Sequence, residues 1–236
     1  MELGGKHVLV TGGAVRVGAV LVRAFAAAGA RVTIHCREHL EAARELAAEL
    51  GAGHRAVAAD FSAGEAGAAE LWALLDAPVD VLVNNASCYR LPAERRGLYD
   101  RVNCRAPLEL MRRFAGQGLS AGAVVNVVDQ AVLAARPTEE AEYLESRRRL
   151  TAATREFARE FAERNLRFNA VAPGPMLPPA GLENSRMAKV LRSVPLGRPV
   201  GVSDLAAAVL FLAANDSVTG AVLPVDGGMS LGMPER

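Results

Sequence analysis

Lysine is almost missing from this sequence: Lys6 and Lys189 are the only two among 27 basic residues, and arginine supplies the rest. The preference runs through the whole chain, so a single arginine carries less meaning here than it would elsewhere. Cysteine is scarce as well. Cys36, Cys88 and Cys104 are odd in number and lie in no metal-ligand spacing, which points to free thiols in a reducing compartment. The histidines, His7, His35, His39 and His54, share no ligand pattern, and no metal site is expected. Charge of neither sign dominates: 27 basic against 26 acidic side chains leave +1, which favours neither nucleic acid nor an anionic membrane. No apolar run reaches the roughly 20 residues needed to cross a bilayer. Met1–Lys6 lacks the basic and then apolar layout of a secretory signal. Internal repeats, linkers and low-complexity stretches are missing too. The expectation is a cytoplasmic protein acting on a small molecule, without nucleic-acid or membrane partners.

What is present is a core-forming composition, 51% hydrophobic and 22% charged over 236 residues, enough for one domain spanning residues 1–236. Short apolar runs occur at His7–Thr11, Arg31–Cys36, Arg55–Ala59, Val79–Asn84, Ala123–Val128, Arg167–Ala172 and Ala221–Val225. Most are Val- and Ile-rich and apolar on both faces, as buried parallel strands are. Helical patterns separate them: Val17–Ala28, His39–Leu50, Ala66–Leu75, Leu98–Ala115, Glu139–Arg164 and Ser203–Ala213, the last with a Ser203-Asp204 cap signal. This alternation predicts an α/β fold: a doubly wound, Rossmann-type parallel sheet of about seven strands with helices on both faces. The one long irregular stretch, residues 173–199, is rich in Pro and Gly and reads as a substrate loop.

The first strand runs into Thr11-Gly12-Gly13-Ala14-Val15-Arg16-Val17-Gly18, and a helix follows. Gly12 and Gly18 permit a tight turn and a close backbone approach. The helix start at Arg16 and Val17 offers free N–H groups to a pyrophosphate. A turn that merely packs helix on strand is the alternative. The second strand ends His35-Cys36-Arg37, with no acid at the position where a carboxylate would hold the ribose hydroxyls of NAD. Arg16, Arg37 and His35 could instead surround a 2′-phosphate, so NADPH is favoured over NADH. Arg37 could equally be a solvated surface residue. Asp60, followed by Phe61, is placed to meet the adenine edge or to cap the following helix.

Together and in order, the Thr11–Gly18 turn, Asp60, Asn84-Asn85-Ala86, Asn103, Tyr143, Pro173-Gly174 and Val218-Thr219-Gly220…Asp226-Gly227-Gly228 resemble the short-chain dehydrogenases/reductases over nearly the whole chain. The resemblance implies that Asn85 and Ala86 support the cofactor, that Asn103 helps to hold a proton-relay water, and that Pro173 and Gly174 lie near the nicotinamide. Arg16 in the turn, Asn85-Ala86-Ser87-Cys88-Tyr89 and Asn126-Val127-Val128-Asp129-Gln130 are similar to the pteridine reductase branch. That likeness implies that Tyr89 stacks on a substrate ring, that Ser87 borders cofactor and substrate, and that Asp129 stands where most members carry serine. Without the likeness, Asp129 reads as a turn cap. In the family, a lysine one helical turn after the tyrosine lowers its pKa and holds the nicotinamide ribose. Here the sequence is Tyr143-Leu144-Glu145-Ser146-Arg147, and Arg147 stands in the lysine's place. The step from Asp129 to Tyr143 is one residue longer than usual, and the segment from Asn85 to Asn103 is shorter.

The resemblance therefore implies an NADPH-dependent reductase of a pterin, dihydropterin or similar C=N or C=O substrate. Tyr143 would be the proton donor, Arg147 its aid, and Asp129 the group that holds or protonates the substrate. A ketone reductase of the same family is an alternative. A nucleotide-binding protein with little catalysis is another, because of Arg147. A homotetramer or homodimer is expected from the family habit, with the tail from Met229 to Arg236 a candidate contact.

Overall fold

The structure is a computed structural model and describes residues 1–95, 97–133, 141–176 and 190–232. Seven parallel strands form one sheet in the order β3-β2-β1-β4-β5-β6-β7. They are β1 His7–Val10, β2 Arg31–Cys36, β3 Arg55–Ala58, β4 Val81–Asn84, β5 Gly122–Val127, β6 Leu166–Pro173 and β7 Val222–Val225. All seven expected strands form, β2 with the expected bounds and the others with one or both ends shifted by one or two residues. Helices α1 (Arg16–Ala27), α2 (Leu40–Leu50), α3 (Glu65–Ala73), α4 (Leu98–Asp100), α5 (Ala106–Gly116), α6 (Ala141–Glu160) and α7 (Val202–Ala214) complete the described elements.

Alternation along the strands divides the core. Val8 and Val10 face one side of β1, where they meet Leu21 and Phe25 of α1 and Val209 and Leu212 of α7. Leu9 faces the other side, against Leu71 of α3, Leu110 and Phe114 of α5 and Leu150 of α6. The inner strands β1, β4, β5 and β6 are buried along their whole length. The edge strands β3 and β7 are only partly covered, which matches their thinner apolar pattern.

Strand order reverses beside β1: the chain leaves toward β2 on one side and returns at β4 on the other. In such sheets a crevice opens at the carboxyl ends of the two strands flanking the reversal. The Gly-rich turn after β1 and the Asn85–Tyr89 loop after β4 both fall there.

Two expected helices differ in how they begin or run. The continuous helix expected over Leu98–Ala115 is interrupted by a wide, π-type turn at Arg101–Arg105. Pro107 lies at the start of α5 and has no N–H to give the Asn103 carbonyl four residues back, so the ladder widens there. The last helix starts at Val202 with Gly201 as its cap residue and no side-chain cap bond; Asp204 lies in its first turn. The expected Ser203-Asp204 cap is therefore not formed. The start expected at Glu139 lies outside the described residues, as do residues 177–189 of the proposed substrate loop and 233–236 of the tail.

Candidate active site

The turn after β1 is held from two sides. The Thr11 hydroxyl donates to the Val83 carbonyl (3.3 Å) and accepts from the backbone N–H groups of Asn85 and Ala86, each at 3.0 Å. The Asn85 side chain donates to the Thr11 and Gly12 carbonyls at 2.9 and 3.1 Å. Glycine is required inside this frame. Gly12 has φ +63, and a Cβ there would sit 3.0 Å from the Ala86 Cα; a Cβ on Gly18 would lie 1.9 Å from the Gly12 carbonyl oxygen. Helix α1 then starts with neither a side-chain cap bond nor an acidic residue in its first turn. Its first N–H groups and positive dipole end thus face the crevice without a built-in anion.

Arg16 begins that helix at φ +53, a left-handed conformation that suits glycine, with its side chain exposed and Val17 half-buried beside it. Arg37 is exposed and forms an ion pair with Glu38 at 2.5 Å. His35 does not join the two arginines. Its ring is buried, Nδ1 accepts from the Gly12 N–H at 3.3 Å, and Nε2 lies 3.1 Å from the Ala59 carbonyl. It stacks on Phe61 with ring centroids 4.4 Å apart. Burial pushes its pKa down to about 4, so the ring is neutral and braces the turn against the end of β3. The phosphate contact expected of His35 is corrected accordingly. Phe61 has its ring in the core, which leaves only its backbone for a nucleotide. Asp60 caps the short turn Phe61–Ala63 by accepting from the Ser62 N–H at 2.8 Å, the capping alternative read from the sequence, and that bond holds its pKa down.

Across the crevice, the π-type turn rotates Asn103 fully inward. Its side chain clamps one residue at two points: Oδ1 accepts from the Cys88 N–H at 2.9 Å, and Nδ2 donates to the Cys88 carbonyl at 3.0 Å. The amide expected to help hold a water is thus engaged in pinning the loop that carries Ser87 and Tyr89. Exposed Ser87 donates to the Cys88 carbonyl at 3.4 Å. Tyr99, which the sequence did not single out, secures the far end of the loop by accepting from the Leu91 N–H at 2.8 Å. Deeper down, Asn84 donates to Asn126 and Asn126 donates to Thr154, both at 2.8 Å, tying β4, β5 and α6 together. Pro173 ends β6 at the same rim, and the Gly174 N–H donates to the Val225 carbonyl at 3.0 Å.

The reactive groups converge on the start of α6. Tyr143 is 8% exposed, and its hydroxyl donates to Oδ2 of Asp129 at 3.0 Å. Oδ1 of Asp129 accepts from the Ala131 N–H at 2.8 Å, so Asp129 is a turn cap as well as the partner of the tyrosine. Tyr89 lies against Tyr143 with centroids 4.7 Å apart, and Tyr99 meets it edge-on at 5.8 Å. Arg147 is 3% exposed, and its guanidinium carbon lies 5.5 Å from the Tyr143 ring centroid. Burial raises the Tyr143 pKa, the Arg147 charge lowers it, and Asp129 raises it, with a net upward direction. Burial also raises the pKa of Asp129, against the pull of its Ala131 and Tyr143 hydrogen bonds and of Arg147. Cys88 is pushed up to about 11 by burial, so its thiol stays protonated. A buried phenol hydrogen-bonded to a carboxyl beside a fixed cation can deliver a proton to a basic atom.

A family model described as enoyl-(acyl carrier protein) reductase matches residues 13–230. Galactitol 2-dehydrogenase (L-tagatose-forming) of Cereibacter sphaeroides is 36% identical over 98% of this chain and 97% of its own length. L-xylulose reductase of Bos taurus is 32% identical over 97% of this chain and 98% of its own. Among solved structures, FolM alternative dihydrofolate reductase 1 from Brucella canis, complexed with NADP, superposes with a TM-score of 0.89 at 29% identity, covering 100% of this chain and 98% of that one. A blue fluorescent protein from a metagenomic library, in complex with NADPH, gives a TM-score of 0.88 at 31% identity, covering 97% of this chain and 99% of that one. Among the described residues, no helix is long and apolar enough to cross a membrane.

Proposed function

The chain belongs to the short-chain dehydrogenase/reductase family, and from that membership we propose that it is an NADPH-dependent reductase of a pterin, dihydropterin or similar C=N or C=O substrate. The observation that carries the reading is the Tyr143–Asp129 hydrogen bond beside Arg147, in a chain whose first strand runs into a glycine-lined turn. The names of two similar solved structures support it, one being an alternative dihydrofolate reductase with NADP and another a protein with NADPH.

The residues present fit the dinucleotide. The space that a Cβ on Gly12 or Gly18 would fill and the uncapped start of α1 suit a pyrophosphate. Arg16 and Arg37 are exposed on that side and suit a 2′-phosphate. Asp60 and the Phe61 backbone border the adenine end, Asn85, Ala86 and Ser87 the middle, and Pro173 and Gly174 the nicotinamide end. A reduced nicotinamide supplies the hydride when bound. Tyr143 gives its proton to the substrate nitrogen or oxygen as the new C–H bond forms, and recovers one from the Asp129 carboxyl. Arg147 cannot act as a proton carrier, since a guanidinium keeps its protons at any working pH. Its part is electrostatic, opposing the negative charge that builds on the acceptor atom. The raised Tyr143 pKa keeps the phenol protonated, which suits reduction rather than oxidation. Tyr89, exposed above Tyr143, offers a stacking face to a flat ring.

The test is a titration of NADPH against NADH, followed by NADPH oxidation with dihydropterins and with small ketones. Tighter NADH binding overturns the cofactor assignment, and faster turnover of ketones than of dihydropterins overturns the pterin assignment in favour of a ketone reductase. A second reading, nucleotide binding with little catalysis, is favoured by Arg147 alone. It predicts NADPH binding with no oxidation across that panel. A single domain with residues 173–199 as substrate loop, a cytoplasmic location and assembly as a homodimer or homotetramer complete the proposal; sedimentation checks the last.

A further inference from the structure

Arg147 is buried without a counter-charge. It is 3% exposed, its Nε has no hydrogen-bond partner, and it forms no ion pair with any carboxylate among the described residues. Burying an unpaired cation is costly, and such charges are ordinarily matched by an anion. The neighbours do not match it. Tyr143 lies against the guanidinium and hydrogen-bonds with it but brings no charge, Cys88 and Cys104 are thiols that burial keeps protonated, and Asp129, whose buried carboxyl is biased toward its neutral form, has both oxygens hydrogen-bonded elsewhere. A guanidinium pairs best with an anionic oxygen.

We propose that Arg147 anchors an anion subsite beside Tyr143, and that the substrate carries an anionic oxygen on the same conjugated frame as the carbon that is reduced. This rests on the reductase reading above and narrows its substrate class. The oxygen can come from the carboxylate of an imino or oxo acid, or from the ionised lactam of a pterin-type ring. The groups facing the guanidinium are Asp129 from the end of β5, Tyr143 from α6, Cys88 from the end of β4 and Cys104 from the π-type turn. Burial raises the thiols and the phenol further above neutral pH, and of these groups it is the Asp129 carboxyl, raised from the ordinary carboxylate range, whose ionisation comes first as pH rises. As pH rises Asp129 ionises, its negative charge offsets part of the nearby Arg147 cation without a direct contact, and anion binding weakens.

The experiment is calorimetric titration of acetate, and of acetamide as its neutral counterpart, into the protein loaded with NADP⁺. The nucleotide's own contacts are then already made. Acetate should bind at least about ten-fold more tightly than acetamide, and Arg147→Met should remove about that factor while Arg147→Lys keeps most of it. Asp129→Asn should tighten acetate binding and flatten its pH dependence. Equal binding of acetate and acetamide in the wild type overturns the subsite, whether or not Arg147→Met folds. So does acetate binding that disappears once NADP⁺ is bound, because the guanidinium is then spent on the cofactor. NADPH oxidation rates with a cyclic imino acid and with a dihydropterin separate the two sources of the oxygen. If acetate binds as expected but neither compound is reduced, the subsite stands and the reductase reading falls. If a dihydropterin is reduced with an unchanged KM in Arg147→Met, the reductase reading stands and the subsite falls.

Discussion

The Tyr143 hydroxyl donates to one oxygen of Asp129 at 3.0 Å while the other oxygen accepts from the Ala131 N–H at 2.8 Å. The carboxyl is thus fixed by the backbone on one side and shares a proton with the phenol on the other. Burial favours its neutral form, so the proton-loaded pair persists above the ordinary carboxylate range. Reductase activity should fall as pH rises above the ordinary carboxylate range and Asp129 ionises, because the form that can resupply Tyr143 is lost. Asp129→Asn should lower the rate and flatten the slope. A wild-type rate that climbs steadily above that range contradicts the relay.

Tyr143→Phe removes the donor itself. Loss of a positioned general acid costs on the order of 10²–10⁴ in kcat. The contacts of Tyr143 are with Asp129, Arg147, Tyr89 and Tyr99, none of them in the Thr11–Gly18 turn, so NADPH affinity should stay within about two-fold. Stopped-flow oxidation beside an equilibrium NADPH titration checks both halves, and a large drop in affinity with little change in rate would contradict the assignment.

Arg16 occupies a left-handed backbone conformation, φ +53, without being glycine. That conformation costs a residue with a Cβ about 1–2 kcal/mol. Arg16→Gly should therefore stabilise the fold by about 1 kcal/mol in urea denaturation, offset in part by the greater freedom of glycine in the unfolded chain. It should also erode the preference for NADPH over NADH. A variant that is more stable yet keeps the full preference would assign the 2′-phosphate to Arg37 alone.

His35 titrates at about 4 when folded against 6.5 when free. Between those values the unfolded chain holds more protons, so stability is complete above about 6.5 and is lost as pH falls toward about 4, by about 3 kcal/mol at most. Its Nδ1 supports the Gly12 N–H, so nucleotide affinity should weaken in the same window. His35→Gln should flatten both curves. An unchanged acid limb in that variant would place the sensitive group elsewhere.

The sheet was legible because β-branched runs with no polar face have few alternatives to burial between helices, and the Gly12–Gly18 turn because only glycine fits where a Cβ would strike backbone. The role of His35 was not legible, since its two ring partners come from the turn and from the end of β3, which only the fold brings together. The same holds for Tyr143 and Asp129, whose hydrogen bond spans 14 residues of sequence. The break after Leu98 did leave a trace: Pro107 sits four residues beyond Asn103, and a proline inside a helical pattern interrupts its ladder. Thr11 and Tyr99 gave no local sign, since a hydroxyl that bridges two loops resembles any other polar residue until the loops are brought together.

The chain has three tyrosines, and Tyr89, Tyr99 and Tyr143 meet in one cluster, while the single tryptophan, Trp72, sits on α3. The tyrosine bands of the near-ultraviolet spectrum therefore originate in the site itself. Their circular dichroism and absorbance act as an intrinsic optical probe of its occupancy, free of any label, and allow ligands to be ranked before a single turnover is measured.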